Sequence, residues 1–422
     1  MKPSGIEWIG DIPDDWEVIK TKFLFNVYGG STPKVNVPEY WGDKITWITP
    51  GELGDDIKIV LNSKRMLSEK GLNSCGATLA PKGSIIISNR APIGQVCLAG
   101  RELCTNQGCK SLVAKIKLSC LFFYYFFKVQ SEVLNMLGNG TTFMELSASD
   151  LLNFKIPFPP LKTQQRIADY LDEKCGEIDA TIAKQKESIE KLKAYKQSLI
   201  SETVTKGLDK SAPLKPSGID YLGDIPNDWE VKRVKNTGKL IGGSAFPDEY
   251  QGVKNEEIPF IKVKSLAEDP ISRNGKDSIS ESIRSKLNAE KFIIGSVVFA
   301  KVGAALLLQR FRILEFESCI DNNMMGFIPL VIEPRFFKYV TVLFDFSYFV
   351  NPGTVPSINQ EQIGNIKIPF PPLKTQQKIA DYLDSKCSQI DKYITEKQNI
   401  IQKLDAYKKS LIFECVTGKQ KM

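Results

Sequence analysis

The sequence predicts an α+β fold used twice: two similar globular units and two long helices that pair antiparallel as a coiled coil. Three observations lead there. Near-identical segments recur at offsets of 213 and 212 residues. Each copy ends in a run of heptad-spaced apolar residues. Between them lie short apolar runs punctuated by Gly and Pro, the pattern of strands and turns mixed with short helices.

The repeat comes first in order. Residues 2–18 and 215–231 agree at 13 of 17 positions, and residues 154–179 and 366–391 at 21 of 26. KLKAYKQSLISETVT (191–205) likewise answers KLDAYKKSLIFECVT (403–417). The middles diverge over a shared frame. Gly29-Gly30-Ser31 answers Gly242-Gly243-Ser244, Trp47-Ile48 answers Phe260-Ile261, Gly83-Ser84 answers Gly295-Ser296, and Gly140-Thr141 answers Gly353-Thr354. Glycines at matching places point to tight turns or close backbone approaches. Drift alone would scatter the differences evenly. Segregated differences imply constant parts for a constant partner and variable parts for different targets.

In the first globular unit the expected strands are Ile45–Pro50, Ser84–Asn89, Gln95–Leu98 and Lys110–Ile116, with a turn at Arg90–Gly94 and a helix over Leu121–Leu137. The apolar run Cys120–Phe127 is too short to span a bilayer and reads as buried helix. The second unit offers strands Ile258–Val263, Ser296–Lys301, Leu306–Gln309 and Met325–Leu330, then a helix from Arg335 to about Phe346.

Pro157, Pro159 and Pro160 should end an extended segment. Thr163 is the expected cap of a helix reaching Thr205, which is 43 residues, or roughly 65 Å at about 1.5 Å per residue. Its apolar positions are 171, 175, 178, 182, 189, 192 and 199, answered by Leu383, Cys387, Ile390, Ile394, Ile401, Leu404 and Leu411. Such a helix with one apolar stripe needs a partner, and its own repeat is the obvious one. A two-fold relation would place one globular unit at each end of the paired helices. Gln185, Lys196, Lys397 and Lys408 interrupt the seam, where polar residues fix register at a cost in stability.

The bulk composition narrows the chemistry. The chain has 422 residues, no histidine and a formal charge of +7. Histidine's absence removes the commonest general base and every His-containing nucleophile or metal site. Nine cysteines without a C-x-x-C read as reduced core thiols of a cytosolic protein. There is no P-loop, no G-x-G-x-x-G dinucleotide fingerprint and no Asn/Asp-Pro-Pro-Tyr/Phe motif for a flipped adenine. A loose nuclease-like match, Asp14 with Asp56 and Lys58, fails in the second copy, where Asn227 replaces Asp14. No catalytic residue, cofactor site or metal site is expected.

Polar and cationic residues gather at the expected turns. In the first unit they are Ser31, Thr32, Lys34, Asn89, Arg90, Thr105, Asn106 and Gln107. In the second they are Ser244, Lys262, Lys264, Lys301, Gln309, Arg310, Asn322 and Asn323. These side-chain types read base edges, Arg or Lys for guanine and Asn or Gln for adenine, and Ser, Thr and Lys hold phosphates. A double-stranded DNA partner is therefore expected. A non-catalytic protein-binding scaffold with two heads on a helical rod remains the alternative, and salt-dependent DNA binding separates the two.

The segments IPFPPLKTQQRIADYLDEK (156–174) and IPFPPLKTQQKIADYLDSK (368–386) resemble those of specificity subunits of type I restriction–modification enzymes. So do GSTPKVNVPEYWGDKITWIT (30–49), GSIIISNRAPIGQ (83–95) and PSINQEQIGNIKIPFPPL (356–373). The resemblance covers essentially the whole chain. It implies target-recognition domains over 1–160 and 208–372, with helical spacers over 161–207 and 373–422. It further implies that each domain reads half of a split DNA site while the helices set the spacing and dock two methyltransferase subunits. Those partners would carry S-adenosylmethionine for adenine-N6 methylation, motor-nuclease subunits could join them, and the place of action would be the cytoplasm. The family's base contacts vary, so none carries over residue by residue.

Overall fold

The computed structural model describes residues 1–54, 57–138, 144–344, 346 and 355–420. The pairs Gly140-Thr141 and Gly353-Thr354, and Asp56, lie outside the described residues. The chain divides into two compact units, Met1–Gln185 with Gln398–Met422, and Lys186–Lys397. Each unit therefore contains a globular α+β part and a stretch of both long helices.

In the first unit a five-stranded sheet runs in the order Phe25–Gly29, Cys109–Ala114, Ile85–Ser88, Val96–Ala99, Ile59–Val60. A four-stranded sheet runs Leu103–Thr105, Ile45–Ile48, Met66–Leu67, Trp41–Gly42, its first pair parallel. Strand Ile85–Ser88 does not alternate apolar and polar because both its faces are covered. Ile85 and Ile87 enter the core around Phe25, while Ile86 enters a second one with Ile48 and Cys97. The aromatic run forms a helix, Cys120–Lys128, capped by Ser119, and Phe122 to Phe127 are all buried. The single helix expected over Leu121–Leu137 is in fact two. The Gln130 N–H turns back to the Phe127 carbonyl (3.1 Å), and a second helix starts at Ser131 and ends at Met136.

The second unit repeats this frame with a four-stranded sheet, Gly238–Gly242, Met324–Pro329, Val297–Ala300, Arg312–Ile313. Beside it are Asp277–Ile279, Ile258–Ile261 and Cys319–Ile320, again with one parallel pair. The expected strand Leu306–Gln309 is instead a helical turn, Ala304–Leu307. Gly303 takes φ 74° and its carbonyl receives the Leu306 N–H, so the chain coils before it can extend. The edge strand comes later, at Arg312–Ile313. The helix expected from Arg335 starts at Pro334 and ends at Val340, followed by a 3-10 turn over Thr341–Leu343.

Pro157 does not end the extended segment. It lies within strand Lys155–Phe158, opposite Val18, as Pro369 lies opposite Val231. Each ribbon has only two strands, so an edge is open where a missing N–H costs nothing. Nor is Thr163 a cap. The long helix begins at Leu161 and its first turn already uses the Pro160 carbonyl, which accepts the Thr163 and Gln164 N–H groups.

The two long helices are Leu161–Lys206 and Leu373–Val416. Within the first unit, Leu171, Cys175, Ile178 and Ile182 share a core with Leu411, Ile412, Cys415 and Val416, and the stretches run antiparallel. Within the second, Ile200 and Val204 share a core with Leu383 and Cys387 in the same sense. The seam lysines have partners. Lys408 Nζ meets Asp179 at 2.5 Å, and Lys196 Nζ meets Asp391 at 2.7 Å. The two pairs are copies of each other under the 212-residue offset. A Lys196→Asp change should cost about 1 kcal/mol, and adding Asp391→Lys should recover most of it. A urea-midpoint series on the four proteins of that cycle checks this, and no recovery in the double variant would remove the pairing role.

Candidate nucleic-acid interface

In both units the expected turns meet at one backbone crossing. In the first, the Ser31 N–H donates to the Thr105 carbonyl (2.9 Å), the Asn106 N–H to Ile48 (2.8 Å) and the Asn89 N–H to Gly108 (2.9 Å). In the second, Ser244 N–H donates to Ile320 (3.0 Å), Asp321 to Ile261 (3.0 Å) and Lys301 to Asn323 (2.9 Å). The Asn106 and Asp321 side chains close the same small turn, each accepting the N–H two residues on at 2.9 and 2.8 Å. One frame thus carries different side chains at matching positions: Gln107 against Asn322, Arg90 against Val302 and, beneath the surface in the first unit, Asn89 against Lys301.

The crossing depends on a missing side chain. A Cβ on Gly30 would lie 2.0 Å from the Asn106 carbonyl oxygen, and one on Gly243 1.9 Å from that of Asp321. Thr32 Oγ1 donates to Gln107 Oε1 across the crossing, and Trp47 Nε1 donates to the Ser31 carbonyl (2.9 Å). Lys34 and Gln107 are exposed beyond it, as are Lys264, Asn322 and Asn323 in the second unit.

Several expected contact residues are placed otherwise. Asn89 and Thr105 are 0% and 2% exposed, so neither reaches a base edge. Asn89 instead donates to Glu145 Oε1 (2.8 Å), and Thr105 Oγ1 faces the Cys109 carbonyl (3.5 Å). Lys262 is committed to Asp277 (2.6 Å) and Gln251 (2.7 Å) over the Phe246 ring. Its partner carboxyl sits below the usual range: burial opposes that shift and the Lys262 hydrogen bond and charge outweigh it. Gln309 donates to the Phe344 carbonyl (3.0 Å) and lines a groove of about 370 Å³ with Lys193, Lys196 and Asp391, so its partners are not those of the crossing. Arg310, next to it, is exposed.

Sequence reasoning missed Glu145, Lys110 and Asp321, which organise these turns. Glu145 is 55 residues from Arg90 with no local pattern joining them. The nuclease-like match dissolves. Lys58 is ion-paired with Asp172, which also accepts from Tyr125 (3.0 Å), and exposed Asp14 meets the Met1 amino group (3.0 Å). Among the described residues no acidic or thiol cluster is placed to hold a metal, and no helix is long and apolar enough to cross a membrane. All nine cysteines are free, and burial pushes the Cys97 and Cys415 thiols up to about 12.

A family model described as the type I restriction modification DNA specificity domain matches residues 13–193 and again 226–406. The type I restriction enzyme MjaIX specificity subunit of Methanocaldococcus jannaschii is 33% identical over 392 residues, 88% of this chain and 86% of that protein. The EcoBI specificity subunit of Escherichia coli is 23% identical over 75% of this chain and 69% of its own. Among solved structures, a chain from work on assembly and conformational transition of the type I R-M system aligns with a TM-score of 0.77 at 15% identity, covering 97% of this chain and all of that one. The HsdS subunit from Thermoanaerobacter tengcongensis aligns with a TM-score of 0.56 at 16% identity, covering 97% and 98%.

Proposed function

This chain belongs to the type I restriction–modification DNA specificity family, and from that premise we propose that it is the non-catalytic subunit that reads a two-part sequence in double-stranded DNA. The recognition domains span 1–160 and 208–372, and each reads one half. The helical spacers, 161–207 and 373–422, set the unread gap and dock the methyltransferase. The observation that carries this reading is the crossing built twice on one backbone frame, with the same serine at the crossing (Ser31, Ser244) and unlike side chains at the exposed tip, Gln107 against Asn322. A reader of two unlike half-sites needs a fixed frame and variable tips.

The constant parts support two copies of a single partner. Tyr195 and Tyr407 sit in the same Ala-Tyr-Lys context of each long helix and are 59% and 57% exposed. An aromatic surface offered twice in the same setting suits two methyltransferase subunits. Those subunits bring S-adenosylmethionine and flip the target adenine for N6 methylation. Motor-nuclease subunits join the same assembly in the cytoplasm.

Exchanging residues 19–150 for those of a relative tests the reading. Single-molecule mapping of methylated adenines should show one half-site replaced and the other retained. A change in both halves would break the assignment of one domain to one half.

A further inference from the structure

We infer that Glu145 is a positioning residue that presents Arg90 to a guanine in the half-site read by the first unit. The inference rests on the DNA-reading role proposed above and adds a residue pair and a base. Glu145 and Arg90 are neighbours in an isolated antiparallel bridge, and the Leu146 N–H donates to the Asn89 carbonyl (2.9 Å). The two segments are therefore pinned before any side chain acts.

The side chains form a graded series from inside to outside. Fully buried Asn89 donates Nδ2 to Glu145 Oε1 at 2.8 Å. Lys110, its side chain 10% exposed, sets Nζ 3.9 Å from the same oxygen. Burial holds that ammonium below the usual lysine range, with Glu145 opposing part of the shift. Held from within, the carboxylate grips Arg90 on its other oxygen, with Nε and Nη2 both 3.1 Å from Oε2. The Arg90 side chain is 48% exposed, so it is the outermost member.

The grip leaves work for the guanidinium. Arginine has five N–H donors in a planar fork, and the Nε–Nη2 edge is the one turned to Glu145. The Nη1–Nη2 edge keeps the geometry that matches guanine O6 and N7 in the major groove. A carboxylate that fixes the plane in advance lowers the entropy lost on contact. The same carboxylate argues against a phosphate as the target, because its charge would oppose a phosphate placed beside it. In the second unit Lys301, Val302 and Ser357 stand at the corresponding bridge, so the device belongs to one half-site.

The test places Arg90→Lys, Glu145→Gln and the double variant in the native gene, and maps methylated adenines in each strain. Arg90→Lys keeps the charge and loses the fork. It should lower preference for one G·C pair in one half-site by about ten- to a hundredfold, with the other half unchanged. Glu145→Gln should relax the same position less, and the double variant should match Arg90→Lys alone. A phosphate contact would weaken methylation equally at all sequences, and changes spread over both halves would mark a folding effect. Either result overturns the guanine assignment while leaving the DNA reader intact. A wild-type strain with no two-part methylated motif would remove the reader itself and this inference with it.

Discussion

Gly30→Ala should destabilise the first unit by about 3 kcal/mol or more, while Gly29→Ala leaves it within about 1 kcal/mol of the parent. The two glycines are adjacent, yet a Cβ on Gly29 meets nothing within 4 Å and one on Gly30 meets two backbone carbonyls, at 2.0 and 2.3 Å. Those carbonyls cannot retreat cheaply. Thr105 accepts the Ser31 N–H, and the Asn106 N–H is tied to Ile48. Relief requires the turn to lift off the crossing and take Ser31, Thr32 and the Trp47 indole bond with it. The second unit should behave alike. Gly243→Ala would meet the Asp321 backbone, while Gly242→Ala would meet only the flexible end of Lys301 at 3.2 Å. Urea unfolding followed by tryptophan fluorescence reads the first pair through Trp41 and Trp47, and equal midpoints for Gly29→Ala and Gly30→Ala would refute the close-approach role.

That contrast also shows what a sequence exposes. The Gly-Gly-Ser pair marks a close approach at matching places, but which glycine makes it depends on the backbone of Thr105 and Asn106, far along the chain. The heptad seam and the repeat were legible because they are periodic and local to the chain. The Leu306–Gln309 run misled because three leucines fit a strand or a helix equally, and Gly303 decided between them. Of the turn residues, Asn89 and Thr105 have the right chemistry for base reading and the wrong depth. Residue type does not report which side of a turn a side chain leaves from. Glu145 was illegible for the opposite reason: it lies in an unremarkable stretch and acquires its role only by meeting Asn89, Arg90 and Lys110 in space.

Gln164→Leu should cost the first unit about 2–5 kcal/mol, against about 0.5 kcal/mol or less for Gln165→Leu beside it. The paired glutamines of the repeated segment do different things. Gln164 is fully buried, accepts the Ser119 N–H on Oε1 (3.0 Å) and donates Nε2 to the Pro159 carbonyl (2.8 Å). Gln165 is exposed and reaches only Asp169 on its own helix (2.8 Å). Leucine at 164 fills much the same space but strands one buried donor and one buried acceptor, each worth about 1–3 kcal/mol. Gln376 repeats the arrangement with the Glu333 N–H (2.9 Å) and the Pro371 carbonyl (2.8 Å), so Gln376→Leu should weaken the second unit alike. In both units the glutamine ties the start of the aromatic helix to the start of the long one. That bond gives a physical reason for near-identity here while the turns diverge: any change of target must keep each reading surface fixed to its helix. Urea midpoints for the two leucine variants decide the matter, and a Gln165→Leu loss as large as that of Gln164→Leu would show that the buried bonds are not what joins them.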